Sequence, residues 1–214
     1  MNDVAKMKPN LEKLSDGQKK LWPELSETPN DFTLFCGVAL TIRFGHRPTS
    51  GFDFYSRKDF DAEKLYESLS FLKGTEVSQL SPNTLVCNVH RGEPVKVSFF
   101  GLPDFGIVAE PEIVEGPGLK VSSLLELAGI KTSIIQKRAV ARDYIDLDMI
   151  LTRGDVSLTD ALLAGRQLYG RLFNPRVALQ ALSFFGDGDL NELPEDVRNR
   201  LSEAATQVDV ESLK

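Results

Sequence analysis

Apolar positions along the chain change period near its middle, and that change organises the fold. Leu11, Leu14, Gln18 and Leu21 recur at helical spacing, so residues 10–22 predict an opening helix that ends before Pro23. Phe32-Thr-Leu-Phe-Cys is rich in strand formers and stops at Gly37, a strand running into a turn. Val38 to Arg43 is a short helix-compatible stretch, and Phe52-Asp-Phe-Tyr alternates around Asp53 as a strand does. Asp59 or Asp61 caps a helix reaching Leu72, with Phe60, Leu65, Leu69 and Leu72 on its inner face. Thr84–His90 and Val95–Phe100 read as a hairpin about Arg91-Gly92-Glu93, and Ile107-Val-Ala as a further strand. From Ser122 onward the period is helical: Ser122–Ile135, Arg142–Leu151, Leu158–Tyr169, Pro175–Phe184 and Pro194–Val208, punctuated by Gly154, Gly170 and Gly186-Asp-Gly188. Strands mixed with helices, then helices alone, predict an α+β protein. Its mixed core and N-terminal helix take residues 1–121, and a helical region takes 122–214.

Composition narrows the class without changing this picture. A 214-residue chain with 42% hydrophobic and 26% charged residues has the makings of a globular core. The N-terminus carries no apolar run of signal-peptide length, no stretch is long enough to span a bilayer, and so no membrane partner is expected. Two cysteines, Cys36 and Cys87, suit neither a disulfide framework nor a metal cluster, which points to a reducing cytoplasm. The net charge of −6 argues against a broad nucleic-acid-coating surface, but it is unevenly spread. Residues 187–214 hold eight acidic side chains against three basic ones, whereas Arg43, Arg47, Arg57 and Lys58 outnumber Asp53 and Asp59 over residues 36–60. A locally basic cleft on an acidic protein suits a phosphate ligand.

That basic stretch, CGVALTIRFGHRPTSGFDFYS, places a turn at Cys36-Gly37 ahead of a helix, then Gly45-His46-Arg47, then Asp53 on a strand. Amides at a helix N-terminus offer donors and a positive dipole end to phosphate oxygens. Two carboxylates at alternate strand positions would converge on Mg²⁺, but the position two before Asp53 is Gly51. Alternation alone predicts that Gly51→Asp would set a second carboxylate beside Asp53. Several roles stay open here. Asp53 holds a metal or pairs with Arg47 or Lys131; His46 and Arg47 touch phosphate or pin their loop. Lys131 faces a cleft or snorkels, and Arg142, Asp143 and Asp146 serve caps and ion pairs. Cys36 reads as a small packing residue and His90 as exposed.

With these motifs in order, the chain resembles the nucleotidyltransferase-like AbiEii/AbiGii toxin family. The resemblance rests on Cys36-Gly37-Val38-Ala39-Leu40, Gly45-His46-Arg47 and Thr49-Ser-Gly-Phe-Asp-Phe-Tyr55. Lys131, Arg138 and Arg142-Asp-Tyr-Ile-Asp-Leu147 follow as a second block. It implies a nucleotidyltransferase fold, a small mixed β-sheet flanked by helices with a helical C-terminal half. It implies Asp53 as metal ligand, Gly37, Arg47 and Lys131 on the phosphates of an NTP with Mg²⁺, and Asp53 and Lys131 as the catalytic pair. An RNA or protein acceptor and an antitoxin protein are the implied partners. Where that family has the first aspartate of its pair this chain has Gly51, and Ser98 stands at the expected third carboxylate. Two functions follow as expectations: a toxin transferring nucleotides with a depleted metal site, or a non-catalytic module binding a nucleotide or partner.

Overall fold

The structure, a computed structural model, describes residues 6–213. Its strands are β1 (Lys6–Met7), β2 (Thr33–Leu34), β3 (Gly51–Ser56), β4 (Glu76–Ser81), β5 (Thr84–His90), β6 (Pro94–Gly101), β7 (Glu112–Val114) and β8 (Lys120–Val121). Its helices are α1 (Asp16–Leu21), α2 (Cys36–Phe44), α3 (Ala62–Ser68), α4 (Leu124–Ile135), α5 (Ala141–Arg153), α6 (Leu158–Tyr169), α7 (Pro175–Ala181) and α8 (Glu195–Thr206). The chain divides into two compact units, Met1–Phe105 with Pro111–Ser122, and Gly106–Glu110 with Ser123–Lys214.

In the first unit the described strands form one mixed sheet in the order β1-β7-β8-β2-β3-β6-β5-β4. The neighbours β3 and β6 run parallel, in a register that pairs Gly51 with Lys96, Asp53 with Ser98 and Tyr55 with Phe100. Period-two alternation then sorts the sheet into two faces. One face is sealed: Phe52, Phe54, Leu85, Cys87, Val89, Val97 and Phe99 are buried, and Phe54 stacks on Phe99 at 5.2 Å. The other carries Asp53, Tyr55, Lys96, Ser98 and Phe100. Arg43 on α2 ties that helix to the sheet, donating to Glu112 at 3.0 Å and to the Ser122 carbonyl at 2.6 Å.

The second unit holds helices and no strand among its described residues. α4 packs on α6 so closely that a Cβ on Gly129 would stand 2.8 Å from the main chain at Ala164 and Gly165. Thr132 Oγ1 donates across that crossing to the Ala161 carbonyl at 3.2 Å. α5 lies against α4 on another side. Its Tyr144 phenol, pushed up to about 12 by burial and then by Asp143 and Asp187, donates to the Ala181 carbonyl at 3.3 Å.

Several boundaries differ from the expected ones, each for a local reason. The opening helix begins at Asp16 rather than residue 10, because Ser15 and Gln18 form a capping box. It then tightens into a 3₁₀ stretch, Trp22–Glu27, that takes in Pro23. Only Thr33–Leu34 of the expected Phe32–Cys36 strand pairs, and Cys36 opens α2 instead of ending a strand. Ile107-Val-Ala is not a strand: Gly106 N–H donates to the Leu168 carbonyl at 3.2 Å and Gln167 Nε2 donates to the Ile107 carbonyl at 2.5 Å, so α6 takes its hydrogen bonds. β7 and β8 supply the sheet there. β4 had no clear signal, since a register shift between Val77 and Gln79 breaks the alternation and the strand is largely exposed.

Candidate functional site

Three pieces of the first unit meet at the sheet face that carries Asp53. β2 leads through Phe35 into α2, and the Phe35 N–H donates to the Asp53 carbonyl at 3.0 Å, which fixes the helix start beside β3. Phe35 is extended, then Cys36 turns left-handed at φ 60° before the helix proper. That backbone region costs a residue with a Cβ about 1 kcal/mol. Cys36→Gly should therefore stabilise the unit by about that amount and Cys36→Val should destabilise it by at least as much, read by urea unfolding.

Gly37 is where the cation comes in. Arg47 Nη2 lies 2.6 Å from where a Cβ on residue 37 would stand, so a larger residue there would push the guanidinium away from the first turn of α2. The Arg47 loop is held from below by Thr41 Oγ1, which donates to the Arg47 carbonyl at 3.0 Å, and Arg47 Nη1 donates to the Pro48 carbonyl at 3.1 Å. A guanidinium and a helix N-terminus thus converge on one spot, and both favour an anion. The structure brings Gly37 and Arg47 together.

Asp53 has no carboxylate at the alternate position of its strand, which is Gly51. Ser98 lies directly across β6 from it, and the Ser98 hydroxyl is fully buried with no hydrogen-bond partner among the described residues. Gly51 offers no ligand, and a Cβ there would meet the Lys96 carbonyl oxygen at 2.1 Å. This overturns the alternation argument: residue 51 faces the right way, but main chain fills the space an aspartate needs. Lys96 itself, absent from the sequence-based site, places its ammonium 3.9 Å from Asp53 Oδ1. Asp104 is exposed in the turn after β6. Among the described residues no three His, Cys, Asp or Glu side chains assemble as a metal group. One strand carboxylate, a neutral serine and a facing ammonium do not fit a two-Mg²⁺ centre, which needs converging anionic oxygens.

Lys131 belongs to the second unit and is engaged there. The residue is 2% exposed, and its ammonium sits 2.7 Å from Asp143 Oδ1 and 2.7 Å from Asp146 Oδ2. Arg138 grips the far oxygen of Asp143 at 2.7 Å. Asp143 and Asp146 share the inner side of α5 because they are three residues apart, whereas Arg142 turns outward. The second motif block therefore converges on a cluster in which buried Lys131 and half-exposed Arg138 meet the buried carboxylates of Asp143 and Asp146.

Comparison with known proteins agrees with this architecture. A family model for "Nucleotidyl transferase AbiEii toxin, Type IV TA system" matches residues 24–212. An uncharacterized protein of Aquifex aeolicus is 26% identical over 170 residues, 78% of this chain and 80% of that one. The fold is similar to that of MenT4, a nucleotidyltransferase toxin of Mycobacterium tuberculosis. The TM-score is 0.60 at 16% identity, over 91% of this chain and 83% of that one. Among the described residues no helix is long and apolar enough to cross a membrane. With its mixed sheet, its helical second half and a family match over most of its length, the chain belongs to the AbiEii nucleotidyltransferase toxin family of type IV toxin–antitoxin systems.

Proposed function

We propose that this chain is the toxin-side component of a toxin–antitoxin pair and binds the phosphates of a nucleoside triphosphate without recruiting two magnesium ions. The observation that carries this reading is the corner at Gly37, where the Arg47 guanidinium lies over the α2 N-terminus. Lys96 adds a second cation beside Asp53, placing positive charge where the family's metal chemistry would put a divalent ion. Phosphates bound there meet side chains and amides rather than a metal bridge. Tight, positioned electrostatics carry most phosphoryl-transfer catalysis, so this ligand set favours binding over turnover.

Calorimetric titration of ATP in EDTA and in excess Mg²⁺ tests it. Binding should occur in EDTA, should not tighten on adding Mg²⁺, and should weaken by roughly tenfold or more in Arg47→Ala. A large Mg²⁺-dependent gain, or no binding in either buffer, would sink the reading.

Family membership favours a second reading, in which the chain transfers a nucleotide from NTP to RNA or protein. Asp53 would then hold the one metal ion and Lys131 would serve the phosphates. Transfer of radiolabel from NTP to bulk RNA or protein, abolished in Asp53→Asn, would establish that reading in place of the first.

A further inference from the structure

Two residues beyond Asp53 and Ser98, the same sheet face becomes aromatic. Tyr55 and Phe100 are the next same-facing pair of β3 and β6. Phe35, the residue before the Cys36-Gly37 turn, packs edge-on to Tyr55 with ring centroids 5.1 Å apart and to Phe100 at 6.3 Å. Phe105 closes the far side of Tyr55 at 5.2 Å. The Arg57 guanidinium lies 5.1 Å from the Tyr55 ring centre and 5.5 Å from that of Phe105. Tyr55 is 1% exposed and Phe105 is buried, whereas Phe35 and Phe100 keep partial exposure, so these two rings offer the reachable surface of the shelf.

We propose that this shelf stacks the nucleobase of the nucleotide whose phosphates lie at Gly37 and Arg47. The proposal rests on the phosphate-binding reading above and adds a subsite to it. Chain continuity is the argument: Phe35 joins the shelf to the phosphate corner, because its ring is in the shelf while its N–H is bonded to the Asp53 carbonyl. Strand rise sets the Tyr55–Phe100 pair about 7 Å from the Asp53–Ser98 pair, a gap that a ribose bridges. Aromatic faces accept any base, and the larger purine face gains more contact. A planar guanidinium at the rim favours a base edge or π-face over an aliphatic side chain. The shelf therefore takes ATP in preference to CTP, and CTP in preference to a bare phosphate chain.

The test is calorimetric titration of the full chain in EDTA with ATP, CTP and inorganic tripolyphosphate, for the wild type, Phe35→Leu and Phe100→Leu. ATP should bind the wild type roughly tenfold more tightly than tripolyphosphate. Both substitutions should erase that preference and leave tripolyphosphate affinity unchanged, with thermal melts showing folded variants. Phe100→Leu decides the outcome if Phe35→Leu does not fold. Equal binding of ATP and tripolyphosphate by the wild type overturns the stacking site alone. So does a variant that loses both ligands in parallel. Binding of neither ligand removes the phosphate corner and the shelf with it. A 5′-hydroxyl oligoadenylate that binds through Phe35 when ATP shows no such dependence would assign the shelf to an acceptor strand and overturn the proposal as stated.

Discussion

Replacing Lys131 with methionine should destabilise the helical unit by about 3–5 kcal/mol, enough to unfold a marginal domain. Methionine keeps the length and apolar stem of the side chain but removes the charge from a site 2% exposed. Asp143 would still have Arg138, but Asp146 would lose an ammonium 2.7 Å away while remaining buried. Breaking one side of a buried ionic cluster costs far more than never having built it, so a compensating change should recover much of the loss. Lys131→Met with Asp143→Asn and Asp146→Asn should regain about 2 kcal/mol or more relative to the single variant, because the two carboxylates that faced the lost ammonium are then neutral. Urea unfolding of the three proteins measures this. If Lys131→Met stays within about 1 kcal/mol of wild type yet loses ATP affinity, the ammonium serves phosphates and the brace is the wrong account. A drop in activity of Lys131→Met without a stability measurement would distinguish nothing.

Gly51→Asp should cost the sheet unit about 3 kcal/mol and confer no stabilisation by Mg²⁺. The added Cβ would stand 2.1 Å from the Lys96 carbonyl oxygen and 2.8 Å from its carbonyl carbon, and no side-chain rotamer relieves a clash with main chain. β3 and β6 would have to separate at the point where their parallel pairing starts. Gly51→Ala isolates the steric part and should account for most of the loss. Thermal melts of both variants with and without Mg²⁺ decide the matter. An aspartate variant that melts several degrees higher in Mg²⁺, beside an alanine variant that does not, would mean that the strands yield and a metal ligand can be restored.

The sequence was readable where a local signal ends an element and opaque where contacts come from register. α6 runs over Leu158–Tyr169 as expected, because Ser157 caps its start and Gly170 ends it. The hairpin of β5 and β6 stands about Arg91-Gly92-Glu93 for the same kind of reason, with Gly92 at φ 92° supplying the turn. Gly37 and Arg47 were legible as neighbours, since ten residues and one short helix separate them. Lys96 was not. It lies 43 residues from Asp53, and nothing in a one-dimensional pattern tells which residue of a parallel strand will face another. The same blindness hid the closed space at Gly51, which is a property of Lys96's backbone and not of β3. Lys131, Asp143 and Asp146 were all visible as charged residues on helices. Their convergence needed the packing of α4 on α5.

The short passage Gly106–Glu110 sits with the helical unit although sheet residues precede and follow it in the chain. Recombination between relatives sees that arrangement as a constraint. A crossover at residue 122 would hand a new helical half to an old sheet half and leave the five-residue piece with the wrong parent. Its bonds to the Leu168 carbonyl and from Gln167 would then be made by a stranger. Exchange that preserves folding must carry two separate stretches of gene together, so the two halves are expected to be inherited as one block and not shuffled as modules.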